Sequence, residues 1–232
     1  MQRILITGIG SGLGKALAEY YLARDVQVYA LGRHLPEDLK EHPRLHFQFC
    51  DLRGLERIDS AVRALLNGTE TLDLIILNAG VLNAINDMTD IPVHELETVM
   101  TVNVWSNKVL LDTVIGLGLK VDQVVGISSG AAGNCNRGWN AYSLSKAELN
   151  ALLKLYSREL ENTHVTSLAP GIIWTPMLKK LIETTDTTRF PSVQRVKEAD
   201  KLSPEEAAKL LDATFPKLKA YESGSFLDVR AL

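Results

Sequence analysis

Tyr142 and Lys146 stand four residues apart in the stretch Ala141–Lys146, AYSLSK. On a helix that spacing puts both side chains on one face. A phenol titrates at about 10 in water, and an ammonium beside it favours the phenolate and draws that value toward neutrality. Such a tyrosine can give a proton to a carbonyl oxygen or take one from an alcohol. A Tyr and a Lys one turn apart are also common on any helix surface. Ser129, in GISSG thirteen residues before Tyr142, strengthens the pair because it follows an apolar run that reads as a strand. A hydroxyl at the carboxyl end of a strand is placed to hydrogen-bond a substrate oxygen, although a turn residue or helix cap would look the same.

A second group is the stretch Thr7–Lys15, TGIGSGLGK, with four glycines between an apolar run and a helical pattern. Glycine loses more freedom on folding than other residues, so a cluster of it implies a sharp turn or a close approach. After a strand and before a helix, free N–H groups and the positive helix end can hold a pyrophosphate. The spacing is T-G-x-x-x-G-x-G, through Thr7, Gly8, Gly12 and Gly14. It is not G-x-G-x-x-G, because Leu13 occupies the last position. Gly8, Ser11, Gly12, Leu13 and Gly14 are therefore candidate phosphate contacts, against the alternative of a tight turn with no ligand.

The elements that must position these groups follow from the apolar pattern. Arg3–Thr7, Val26–Leu31, Leu45–Cys50, Leu72–Leu77, Val121–Ile127, Val165–Ala169 and Ser225–Val229 read as strands. Gly12–Ala23, Gly54–Leu66, Val93–Leu117, Ala141–Glu161 and Ser203–Phe215 have helical spacing. The last has Ser203 as cap, Pro204 in the first turn and Glu206 to complete a capping box. Alternation from end to end predicts an α/β fold, a doubly wound parallel sheet of about seven strands with helices on both faces. The Thr-rich stretch Pro176–Leu202 reads as irregular and long for a connection, as lids and binding segments often are.

A chain of 232 residues with 46% apolar content suits one domain over residues 1–232. A formal net charge of −3 offers no electrostatic case for nucleic acid or an anionic membrane. No apolar run is long enough to span a bilayer, and MQRILITG has no signal-peptide core. Cys50 and Cys135 make no disulfide framework, which predicts a reducing, cytoplasmic setting. The five histidines show no metal-ligand spacing, and no metal is expected.

Together these stretches resemble the short-chain dehydrogenase/reductase family in its single-domain Rossmann form, over nearly the whole chain. The motifs that carry the resemblance are Thr7–Gly14, Leu77-Asn78-Ala79-Gly80, Asn103 in TVNVWS, Ser129, Tyr142-x-x-x-Lys146, and Pro170-Gly171 followed by Thr175, in family order. The resemblance implies Tyr142 as acid/base, and Lys146 lowering its pKa and holding the nicotinamide ribose. It implies Ser129 polarising the carbonyl and Asn103 anchoring a water of the proton relay. Asp51 would lie beside the adenine with Leu52 packing there. Asn78, Ala79 and Gly80 would line the adenine ribose. Pro170, Gly171, Ile173 and Thr175 would form the nicotinamide end. Leu77 departs from the family, which often has a first asparagine there.

The second strand ends YALGRH, with no acid before Glu37. An NAD site usually has one near this point, whereas Arg33 can fork onto a 2′-phosphate, with His34 beside it. This favours NADP(H), with NAD(H) the alternative; Arg33 as a solvated surface charge is the bland reading. Ala131, Asn134, Cys135, Trp139, Trp174 and Met177 are candidates to line a fairly open pocket for a small carbonyl or alcohol substrate, such as an aromatic ketone, aldehyde or diketone. The resemblance also implies a homodimer or homotetramer contacting through Val93–Leu117 and Ala141–Glu161. A regulatory nucleotide-binding protein on the same fold is the alternative function. An extended sugar-nucleotide epimerase is disfavoured, since only about sixty residues follow Pro170.

Overall fold

Successive residues of a strand face opposite sides of a sheet, and here both sides are apolar. In β1 (Arg3–Thr7), Ile4 and Ile6 face one way and Leu5 the other, all fully buried. Such two-sided burial suits a parallel sheet covered by helices. The computed structural model, which describes residues 1–232, has that form. β1 joins β2 (Gln27–Gly32), β3 (Leu45–Phe49), β4 (Thr71–Leu77), β5 (Lys120–Ile127), β6 (His164–Ala169) and β7 (Phe226–Asp228). The sheet is all parallel, in the order β3-β2-β1-β4-β5-β6-β7. The strand order therefore reverses between β1 and β4.

The helices are α1 (Gly12–Leu22), α2 (Leu55–Leu65), α3 (Val93–Met100), α4 (Ser106–Gly116), α5 (Ala131–Asn134), α6 (Asn140–Glu159), α7 (Pro176–Thr184), α8 (Pro191–Glu198) and α9 (Pro204–Leu218). On one face Ile4, Ile6, Ile76 and Val125 pack with Leu17 and Tyr21 of α1 and Leu211 and Phe215 of α9. On the other, Leu5, Ile75 and Val124 pack with Ile58 of α2, Leu110 and Val114 of α4, and Leu149 and Leu153 of α6. Each such buried aliphatic side chain contributes about 1.5–3 kcal/mol, so α6 is held firmly against β5 and carries Tyr142 and Lys146 with it. The Ser203 capping box is present, with Ser203 Oγ accepting from Glu206 N and Glu206 Oε2 from Ser203 N.

Two expectations are corrected. The predicted helix Val93–Leu117 is interrupted by a wider π turn at Thr101–Trp105, which divides it into α3 and α4. The stretch Pro176–Leu202 is not irregular but holds α7 and α8. Thr175 caps α7 by accepting from Leu178 N at 3.3 Å, and Pro176 and Pro191 start the two helices. Both pack on a separate small core of Ile85, Leu181, Phe190 and Val193.

α1 meets β1 so closely that a Cβ on Gly14 would lie 2.1 Å from the Gly8 carbonyl oxygen and 2.4 Å from Asn78 Nδ2. Gly14→Ala should therefore cost about 3 kcal/mol in urea unfolding. Gly133→Ala, which meets nothing within 4 Å, should stay within about 0.5 kcal/mol of the parent.

Candidate active site

The Gly8 N–H donates to Leu31 O at 2.8 Å, which anchors the glycine loop on β2. Gly8 at φ +77° and Gly12 at φ +56° take left-handed backbone that disfavours side chains. Asn78 joins the loop to β4. Its Nδ2 donates to Thr7 O at 2.9 Å and Gly8 O at 3.2 Å, while Thr7 Oγ1 accepts from Asn78 N and Ala79 N, each at 3.0 Å. The side chain of Asn78 is thus a stitch between strands, a role its sequence position did not reveal. Leu77 is buried in the core, and the stitch does not involve it.

Ser11 precedes α1 in extended backbone, and its side chain makes no cap bond to the first turn. The first-turn N–H groups therefore lack a side-chain acceptor and line a cleft of about 1070 Å³ at the carboxyl ends of the strands. An uncapped helix start at the floor of a cleft fits the pyrophosphate of a dinucleotide. Every residue expected to hold that dinucleotide lines the cleft, from Gly8 through Arg33, Asp51, Leu52, Asn78–Gly80, Tyr142 and Lys146 to Pro170, Gly171, Ile173 and Thr175. At the far end Asp51 is chelated by Arg53, with Nε at 3.0 Å and Nη2 at 2.5 Å from its Oδ2. That pairing holds the Asp51 carboxyl down at about 2. Arg53 also lines the cleft and was not foreseen.

Ser129 lies just beyond β5, and its Oγ accepts from Ala131 N at 3.1 Å. It lines the cleft with Tyr142 and Lys146. The Lys146 ammonium is buried, donates to Ile127 O at 2.7 Å and sits 5.7 Å from the centre of the Tyr142 ring. Burial lowers the Lys146 pKa to about 8. Burial also pushes the Tyr142 phenol above its ordinary value, opposed by the Ser129 hydroxyl that lowers it. The expected net depression of the phenol by Lys146 is thus corrected, because desolvation outweighs the other influences here.

Asn103 does not line the cleft. It is fully buried in the π turn. Its Oδ1 accepts from Val81 N at 2.8 Å, and its Nδ2 donates to Val81 O and to Ser145 Oγ, both at 2.9 Å. Ser145 Oγ donates in turn to Tyr142 O at 2.8 Å. Asn103 therefore positions the tyrosine backbone through Ser145, a buried serine that sequence reading passed over for want of any motif.

Of the expected substrate-side residues, Ala131, Asn134, Trp139 and Met177 line the cleft, whereas Cys135 and Trp174 do not. Cys135 ends α5 in left-handed backbone, φ +42°, and is exposed. Ile173 pairs with Leu202 and is buried, so the next side chain, Trp174, faces outward and is 45% exposed. Trp139 Nε1 donates to Ser192 Oγ of α8 at 2.9 Å, with its ring 6.0 Å from that of Tyr142. Asp87 accepts from Arg137 at 2.6 and 2.7 Å and from Arg189 at 2.8 Å. The two guanidiniums hold its carboxyl well below the usual range and tie the loop after β4, the loop before α6 and the α7–α8 segment together. The substrate side is thus covered by two helices.

The short chain dehydrogenase family model matches residues 2–186. The chain belongs to this family. Among its short-chain dehydrogenase relatives, benzil reductase ((S)-benzoin forming) of Bacillus subtilis is 27% identical, over 99% of both chains. An uncharacterised oxidoreductase of Saccharomyces cerevisiae is 28% identical over 92% of this chain and 85% of that one. The crystal structure of a short-chain dehydrogenase/reductase from Saccharomyces cerevisiae superposes with a TM-score of 0.86 at 22% identity, covering 99% of this chain and 96% of that one. The enzyme is therefore an NAD(P)-dependent oxidoreductase of the short-chain dehydrogenase family. No helix is long and apolar enough to cross a membrane.

The buried Lys146 has a pH signature. Its folded pKa lies below its unfolded one, so between pH 8 and 10 the unfolded chain holds a proton that the folded chain has released. Stability should rise with pH in that window, by about 2 kcal/mol at pH 10. Urea unfolding of the parent against Lys146→Met should show the rise only in the parent.

Proposed function

We propose that the enzyme is an NADP(H)-dependent reductase of a small ketone, aldehyde or diketone, or works as the corresponding alcohol dehydrogenase. The placing of Ser129 and of Lys146, 5.7 Å from the centre of the phenol ring, beside Tyr142 in the cleft carries this reading. Carbonyl reduction adds a hydride to carbon and a proton to oxygen, and the bound nicotinamide supplies the hydride. Tyr142 Oη gives up the proton to the carbonyl oxygen, and Ser129 Oγ donates a hydrogen bond to the same oxygen. Lys146 holds positive charge beside the phenolate that forms. Asn103 acts by fixing the backbone of Tyr142. With its side chain committed to Val81 and Ser145, a relay water would lie on a backbone carbonyl and not on the amide.

Arg33 supports the 2′-phosphate. It is exposed at the cleft end beside His34, and the Asp51 carboxyl, itself chelated by Arg53, is held down in lesser part by the Arg33 charge. The relatives named benzil reductase support a diketone as the first substrate to try. The apolar wall of Trp139 and Met177 suits one. We further propose one NAD(P)-binding domain over residues 1–232, a cytoplasmic setting, no metal, and a homodimer or homotetramer. Trp105 at 39% exposure, with Leu144 at 47% and Leu155 at 64% on α6, supports contact between copies.

Reduced-nicotinamide absorbance with benzil and a panel of aldehydes, ketones and diketones tests the activity. Turnover with NADPH is expected, and binding of NADPH with no turnover anywhere would favour the regulatory alternative. Arg33→Glu should lower the ratio of kcat/KM for NADPH over NADH by about tenfold or more. An unchanged ratio would remove Arg33 from cofactor selection.

A further inference from the structure

Four arginines line the cleft: Arg33, Arg53, Arg195 and Arg230. Arg53 is chelated by Asp51 and Arg230 by Asp228, with Nε at 2.9 Å and Nη2 at 2.5 Å. Arg33 and Arg195 have no carboxylate partner. Arg33 stands at the adenosine end, where a phosphate would answer it. Arg195 stands at the opposite end, on α8, and nothing in the cofactor reading accounts for it. Its only polar contact is a long one, Nη2 to Asn136 Oδ1 at 3.3 Å.

The setting of Arg195 points into the substrate side. On α8 it shares the cleft lining with Ser192, one turn before it, and with Val196, and Ala199, which ends the helix, lines the cleft too. Ser192 holds the Trp139 indole, whose ring lies beside that of Tyr142. The neighbouring arginines Arg137 and Arg189 are neutralised by Asp87 and Asp90, whereas Arg195, which lines the cleft, has no counter-charge. Across from it, Arg230 Nη2 lies 3.7 Å from the place a Cβ on Gly130 would take, next to Ser129, with Asn134 Nδ2 3.6 Å from the same point. The acidic residues lining the whole cleft are Asp51 and Glu95, and neither is paired with Arg195. An apolar wall of Trp139 and Met177 is thus edged by guanidinium and amide donors.

We propose that the physiological substrate carries an anionic group, in the simplest case a carboxylate, that Arg195 binds while the carbonyl lies at Ser129 and Tyr142. The inference rests on the carbonyl-reductase reading and narrows its substrate to an oxo acid with an apolar body. A guanidinium matches a carboxylate by a two-point fork. Being exposed, the contact should weaken as salt rises.

The test compares benzoylformate, benzoylpropionate and benzoylbutyrate with their methyl esters, and with benzil, under NADPH and NADH. The series varies the distance from carbonyl to carboxylate; each ester replaces the charge with a methyl ester, and in benzoylpropionate and benzoylbutyrate that change lies too far from the ketone to alter its reactivity. In the parent, at least one acid should exceed its ester in kcat/KM by about tenfold. Arg195→Ala should lower kcat/KM for that acid by about tenfold through KM, leave its ester within about twofold, and leave NADPH affinity unchanged. Arg195→Lys should recover part of the loss. Equal use of acids and esters by the parent, or an equal fall for both in Arg195→Ala, would overturn the inference while turnover of benzil or the esters kept the reductase reading. No nicotinamide oxidation with any compound would overturn both.

Discussion

The carbonyl oxygen of Gly8 occupies the space that a side chain at position 14 would need, and the site depends on that contact. Because Gly14 has no Cβ, α1 can start directly against the end of β1, and its first-turn N–H groups face the cleft. Asn78 fills the remaining space and ties the ends of β1 and β4 together through Thr7 and Gly8. Strand order reverses at that same junction, so the crevice expected of an open parallel sheet and the uncapped helix start coincide. The groove runs from that helix start toward β5 and α6, where Ser129, Tyr142 and Lys146 line it.

On that side the constraint is electrostatic. Lys146 is buried at the carboxyl end of β5, where its ammonium is desolvated and donates to one backbone carbonyl. A buried lysine costs folding free energy, and the compensation is a cation fixed beside a phenol. The phenol itself is shifted upward by burial, which suits a proton donor at neutral pH. Release of that proton leaves a phenolate whose charge Lys146 can offset. The backbone beneath Tyr142 is set from the far side of the helix pair, by the run from Asn103 to Ser145 to the Tyr142 carbonyl. That run starts in the π turn, where Asn103 is buried.

The sheet and its order of alternation were legible because continuous apolar strands such as RILIT and LDLIIL read the same way in any context. The glycine loop, Ser129 and the Tyr142–Lys146 pair were legible as motifs, and the fold brings them to one cleft. The π turn was hidden, because an apolar pattern that continues through Val102 and Val104 gives no sign of an added residue. The roles of Asn78 and Asn103 as strand and helix ties depend on which backbone groups lie opposite, which spacing does not encode. α7 and α8 were missed despite usable signals. Thr175-Pro176 is a cap followed by a first-turn proline, and Met177, Leu178 and Leu181 have helical spacing. Their small separate core around Phe190 and Ile85 draws on residues far apart in the chain, so the local polarity of TTDTTR dominated the reading. The ion pairs around Asp87, which leave Arg195 alone on its rim, are likewise visible only in three dimensions.

Tyr142 as the proton donor is the claim on which the rest converges, and one variant addresses it. Tyr142→Phe deletes a single hydroxyl and keeps the ring beside Trp139. NADPH binding should be followed by quenching of protein fluorescence, and turnover of an accepted carbonyl by the loss of reduced-nicotinamide absorbance. An NADPH Kd within about twofold of the parent and a kcat reduced by about a thousandfold are expected. A kcat within about tenfold of the parent would contradict the claim and move the proton transfer to another group.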